Sequence, residues 1–172
     1  MSEEHRQQKR IGVGMAIAAW VVVLLIAAYF FQDLLDRQMN PNQDLSTVET
    51  GTHSEVVLQR NKFGHYVASG TINNQPVVFF LDTGASDVSI PAGVAERLGL
   101  KRGAPTTYNT ANGPITAYRT TLDRVRLGGI ELRDVRASIN PAIDAEEVLL
   151  GMSYLKHLEF TQRGDTLTLR QY

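Results

Sequence analysis

The chain has no cysteine, so a disulfide framework and a thiolate metal site are both excluded. That absence is compatible with any compartment, oxidising ones included. A charge excess of either sign is also missing. Its 17 Lys and Arg against 18 Asp and Glu leave a formal net charge of −1, which gives no strong general attraction to nucleic acid. The four histidines, His5, His53, His65 and His157, are scattered without the spacing of a metal-ligand set, and neither a metal nor another cofactor is expected. A length of 172 residues fits one domain with additions.

One long hydrophobic run is present. Ile11 to Phe31 contains no charged residue, and a membrane span needs about 20 apolar residues. Arg6, Lys9 and Arg10 precede it, whereas Arg37 is the nearest positive residue after it. The positive-inside rule then keeps residues 1–10 in the cytoplasm and carries the remainder across the membrane. A cleavable signal peptide would have a shorter apolar core followed by a small-x-small site. This run ends in Ala27-Ala28-Tyr29-Phe30-Phe31, so residues 11–31 are read as an uncleaved anchor. A core helix of a soluble domain would carry a polar face, which this run lacks. Residues 32–54 are polar toward their end, include Asn40-Pro41-Asn42 and show no apolar period. They read as a linker, partly disordered. A cut within Gln38 to Ser54 would release whatever follows.

From residue 55 to 172 the pattern is mainly β. Val56-Val57-Leu58 opens it, and residues 66–72 alternate up to Asn73-Asn74, a turn tolerant of positive φ. Val77 to Leu81 is a continuous apolar strand, expected to be buried on both faces. Pro91 to Leu98 predicts a short helix ended by Gly99. Thr106 to Leu122, broken at Ala111-Asn112-Gly113-Pro114, predicts a hairpin. Strands follow around Val125, Leu127, Ile130, Leu132, Val135 and Ile139. Val148-Leu149-Leu150-Gly151 then precedes a short helix, and Phe160 to Leu169 forms a closing hairpin around Gly164-Asp165.

The run Val77 to Leu81 ends in Asp82-Thr83-Gly84-Ala85. An acid at the end of a buried strand is costly unless it is a turn cap or a working group. FLDTGAS, the later Leu149-Leu150-Gly151 before a short helix and the hairpin between them resemble the retropepsin-like aspartic proteases, specifically the membrane-anchored ones of bacteria. The resemblance covers roughly Ser54 to Tyr172. It implies a closed β-barrel protomer with one or two short helices, two related halves of which the second lacks the acid, and a periplasmic protease domain at the bacterial inner membrane.

Hydrolysis of an amide without a metal needs a base for water and an acid for the leaving amine. Two carboxylates sharing one proton supply both. Only one Asp-Thr-Gly occurs in the chain, so the resemblance implies a homodimer in which Asp82 of each copy forms the dyad. Thr83 would hydrogen-bond across the two-fold axis, Gly84 would donate its N–H to the carboxylate, and Ala85 stands where a serine hydroxyl would otherwise reach it. Tyr108, Asn109, Thr110, Ala111, Asn112 and Gly113 are the candidate flap over an extended peptide or protein substrate. Tyr108 would line a subsite or pack on the sheet. Asp87 is expected to be a surface or helix-cap residue. Asp123, Asp134, Asp144 and Asp165 lie in polar or turn contexts. The alternative is a catalytically silent retropepsin-like dimerisation or peptide-binding module.

Overall fold

The computed structural model describes residues 3–50, 53–110 and 113–172. Two compact units divide the chain, Met1–Gln38 and Met39–Tyr172. The first is helical. α1 runs Glu3–Met39, and within it Gly12–Met39 is long and apolar enough to cross a membrane by length and composition. The side chains from Gly12 to Phe31 are exposed, so this helix does not serve as a buried core element. It continues eight residues beyond Phe31, because Gln32 to Met39 contains neither Gly nor Pro to end it.

The second unit is mainly β. Its strands are β1 (Thr47–Thr50), β2 (His53–Gln59), β3 (Val67–Ile72), β4 (Gln75–Leu81), β5 (Val88–Pro91), β6 (Pro105–Thr110), β7 (Gly113–Leu127), β8 (Ile130–Asn140), β9 (Glu147–Leu150), β10 (Glu159–Arg163) and β11 (Thr166–Gln171). Two short helices are α2 (Ala92–Arg97) and α3 (Met152–Leu155). The larger sheet has the order β3-β4-β9-β5-β8-β7-β6, and β3 also pairs with β7. That pairing, Thr71↔Arg126 and Ile72↔Val125, closes the sheet on itself and leaves only β6 outside the ring. The predicted closed barrel is therefore present. A Cβ on Gly70 would collide with the Arg126 carbonyl oxygen and, at 2.6 Å, with the Phe79 ring, so the crossing of β3 over β7 depends on that missing side chain.

Turn chemistry follows the predicted pattern. Asn73 and Asn74 take φ values of 50° and 67°, and Gly99, at φ 67°, follows α2. Val125 to Ile139, expected as separate pieces, belongs to two long strands joined at Gly128-Gly129. The β4 expectation needs correction. Val77 and Phe79 are buried, but Val78, Phe80 and Leu81 are only half-buried. β4 has one inward face, and its second face is covered in part by neighbours such as His65, whose ring lies 4.9 Å from that of Phe80. Val56, Leu58, Ile72, Phe79, Ile90, Leu122 and Tyr154 are fully buried in the core. Each large apolar side chain so placed contributes about 1.5–3 kcal/mol.

The smaller sheet, β1-β2-β11-β10, joins the two ends of this unit. β2 and β11 pair antiparallel from Ser54↔Gln171 to Gln59↔Thr166. Here the expected linker over 32–54 is largely replaced by structure. Its first part is the end of α1, and Thr47–Thr50 is a strand. Asn40 and Asn42 are 8% and 4% exposed. The Asn42 carboxamide donates to the carbonyls of Gln59 (2.9 Å) and Val67 (2.7 Å) and accepts from the Gln59 N–H (2.7 Å). Asn40 donates to Ser69 Oγ at 3.0 Å. Polar residues that look like solvated chain act as caps on strand ends, because buried backbone groups need partners.

Replacing Asn42 by Ala removes all three carboxamide bonds and orphans buried backbone groups. The expected cost is about 3 kcal/mol, or roughly a 10 °C fall in Tm for a domain of this size, read by thermal unfolding.

Candidate active site

β4 and β9 run parallel, with Leu81 opposite Leu150. The next rung carries the chain into the loop, as the Asp82 N–H donates to the Leu150 carbonyl at 3.2 Å. The chain then turns sharply. The Gly84 N–H donates to Asp82 Oδ1 at 2.8 Å, and the Ala85 N–H donates to the Asp82 carbonyl at 3.3 Å. A Cβ at Gly84 would sit 3.1 Å from Asp82 Oδ1, so a side chain there would crowd the carboxylate. Asp82 is half-buried, whereas Thr83 and Gly84 are exposed.

The loop rests on the first turn of α3. The Met152 N–H donates to the Ala85 carbonyl (2.7 Å) and the Ser153 N–H to the Ser86 carbonyl (2.9 Å). This close approach explains Gly151. A Cβ there would collide with the Asp87 carbonyl oxygen and lie 2.6 Å from that of Ala85. Ser153 adds a second tie. Its Oγ accepts from the Val88 N–H at 2.9 Å and donates to the Arg136 carbonyl at 2.7 Å. The helix, β8 and the chain leaving the loop are thereby held together at one buried hydroxyl.

Asp87 departs from its expected place. It is 7% exposed and is neither a surface acid nor a helix cap. Arg136 Nε donates to its Oδ1 at 2.6 Å, and the Tyr108 hydroxyl donates to its Oδ2 at 2.6 Å. A carboxylate taken out of water requires such partners. Burial first, then the hydrogen bond and charge of Asp87, push the Tyr108 phenol above its ordinary value of 10.0, against opposing effects of Ser138 and Arg136. A raised phenol value means that the fold holds this proton more tightly than the unfolded chain. The contribution is complete at neutral pH and is lost only as strongly alkaline solution removes the proton. The hydrogen bond to Asp87 likewise raises the Arg136 guanidinium value.

Tyr108, Asn109 and Thr110 lie on β6 and Gly113 opens β7, with Thr110 opposite Gly113. Ala111 and Asn112 lie outside the described residues. The Tyr108 hydroxyl joins the segment after the loop. A cavity of about 220 Å³ adjoins the loop, lined by Thr83, Gly84, Ala85, Ser86, Arg136, Met152, Ser153 and Lys156. Sequence reading singled out Asp82 to Ala85 and Tyr108. It missed Arg136 and Ser153, which no local motif distinguishes from other strand and helix residues.

Gly151→Ala should destabilise the fold by about 3 kcal/mol in a denaturant titration, since the new methyl has only backbone to displace.

The family model described as gag-polyprotein putative aspartyl protease matches residues 68–157, a stretch that spans the loop, the hairpin and the α3 seat. The chain is 31% identical to an uncharacterized protein in the cobV 5′ region of Sinorhizobium sp, over 96% of this chain and 77% of that protein. It is 30% identical to an uncharacterized protein of Rickettsia prowazekii (strain Madrid E), over 91% of this chain and 70% of that one. The crystal structure of a retropepsin-like aspartic protease from Rickettsia conorii matches with a TM-score of 0.60 and 33% identity, covering 74% of this chain and 96% of that chain. Loop, barrel and relatives agree, and the chain belongs to the retropepsin-like aspartic protease family.

Proposed function

We propose that this protein is a membrane-anchored aspartic endopeptidase whose two-carboxylate centre is completed by a second copy. One observation carries the reading. The loop segment holds two acids, and Asp87 has both oxygens engaged by Arg136 and Tyr108. Asp82 is the acid of that segment placed beside exposed loop residues, so each copy contributes one carboxylate. Two such loops meeting on a two-fold axis make a dyad.

In that dyad one carboxylate takes a proton from water as its oxygen attacks the scissile carbonyl carbon. The other, protonated, gives its proton to the carbonyl oxygen. Collapse of the resulting diol breaks the C–N bond as a proton passes to the amine nitrogen. Gly84 N–H holds the Asp82 carboxylate in orientation, and exposed Thr83 is placed to reach its counterpart. The β6–β7 hairpin acts as the flap over an extended peptide or protein substrate. α1 anchors the chain, with Arg6, Lys9 and Arg10 on the cytoplasmic side and the protease domain in the periplasm.

β10 supports self-assembly. All five of its residues are exposed, and among the described residues β11 is its one strand neighbour. Arg60 N–H donates to the Asp165 carbonyl, so odd-numbered residues of β11 face β2 and even-numbered ones face β10. Arg163, Thr161 and Glu159, opposite Thr166, Thr168 and Arg170, are thus used by that ladder. The N–H and C=O groups of Phe160 and Gln162 point to the free edge. An antiparallel pair of β10 strands centred on Thr161 sets Phe160 against Gln162 of the other copy, with backbone groups matched, and sets Glu159 against Arg163 twice.

Asp82→Asn keeps the shape of the side chain and removes its basicity. Peptide cleavage by the full chain should fall by about 10³-fold or more with the fold unchanged. Retained cleavage in Asp82→Asn removes Asp82 from the role.

Gln162→Pro removes an outward N–H and leaves the β10–β11 ladder intact. Energy transfer between labelled full-length copies in detergent should report a dimer dissociation constant about tenfold higher, as two ladder bonds are lost. Undiminished pairing would place the two-copy contact elsewhere.

A further inference from the structure

β6 is an edge strand whose ladder partner is β7, and its residues from Pro105 to Thr110 are exposed except Thr106 and Tyr108. Two of its side-chain bonds stay inside the hairpin, where Thr106 Oγ1 accepts from Arg119 Nε at 2.9 Å and Thr110 Oγ1 donates to the Gly113 carbonyl at 2.8 Å. Tyr108 reaches outside it. Its hydroxyl meets Asp87 Oδ2 at 2.6 Å, five residues after Asp82.

The acceptor is a rigid platform. Asp87 is buried, its backbone packs on Gly151, and its other oxygen takes Arg136 Nε. Ser153 ties the Val88 N–H to the Arg136 carbonyl, so both members of the ion pair are held by one hydroxyl. A hydrogen bond to a buried carboxyl group that also takes a guanidinium is among the stronger ones available to a side chain.

We infer that Tyr108 is a latch, a positioning residue that pins the β6–β7 hairpin to the segment carrying the Asp82 loop, with Asp87 as its anchor and Arg136 as the brace. This rests on the reading of that hairpin as the flap. The latch biases the hairpin toward the loop before substrate arrives, and lifting the hairpin requires the phenol to leave the carboxylate. Peptide binding then draws on a hairpin already in place. The chemical step, carried by Asp82, does not involve the phenol.

Tyr108→Phe keeps the ring and its packing and removes the hydroxyl alone, so the fold survives. Hydrogen exchange of the full chain in detergent should show amides of residues 106–110, 113 and 115–118 exchanging about tenfold faster than in wild type, with β2 and β11 unchanged. With a cleaved peptide, KM should rise about fivefold or more while kcat changes less than about twofold. A ring that serves only as packing would move neither quantity. Unchanged hairpin exchange in Tyr108→Phe overturns the latch. Faster hairpin exchange in a chain that cleaves no peptide supports the latch and refutes the peptidase reading, so the two failures are distinct.

Discussion

The site depends on the contact between a loop and a helix turn that lacks a side chain. Gly151 lets the carbonyls of Ala85 and Asp87 come down onto the start of α3, and the N–H groups of Met152 and Ser153 receive the loop from below. Everything above that seat inherits its position. The Asp82 backbone is set by the last rung between β4 and β9, its carboxylate by Gly84, and Asp87 by Arg136 and Tyr108. A loop with exposed residues at its tip is thus held at both ends by backbone hydrogen bonds.

The relation between β4 and β9 gives this seat its logic. Both are short apolar strands ended by a sharp change of direction, and they lie parallel and adjacent. One continues into the acid-bearing loop, the other into Gly151 and α3. Each strand's exit is therefore placed against the other's, one carrying the acid and the other the turn on which that loop rests. Parallel pairing of this kind requires long connections, and the connection here contains β5, β6, β7 and β8. The hairpin and Arg136, both borne by it, return to the same loop.

Much of the fold could be read before the structure because local chemistry and tertiary role agreed. Asn73-Asn74 tolerates positive φ and makes a turn; Gly99 ends a helix; the apolar run into Asp82 is a strand leading to the site. Where reading failed, a polar residue was doing buried work. Asn40 and Asn42 have the composition of a linker, yet the Asn42 carboxamide serves strand backbones 17 and 25 residues away and that of Asn40 reaches the Ser69 hydroxyl 29 residues away. Asp87 looked like a surface acid because its partners, Arg136 and Tyr108, are 49 and 21 residues distant. Val78 and Phe80 looked like core because hydrophobicity alone does not say which side of a strand is covered. Such pairings are tertiary and leave no periodic signal in one chain.

The pairing of β2 with β11 and the insertion of Asn40 and Asn42 bear on how readily the chain between α1 and β2 could be cut. A protease takes its substrate as an extended, accessible strand. Asn40, Asn42, β1 and β2 are instead engaged, which leaves Gln43 to Ser46 as the described stretch outside a strand after α1. A cut in the engaged parts would have to await local unfolding, and the product of a cut after Asn42 would have lost the carboxamides that cap its own strands. A β unit released by that route would be less stable than the intact one, so the durability of the fold is coupled to the integrity of the segment that precedes β2.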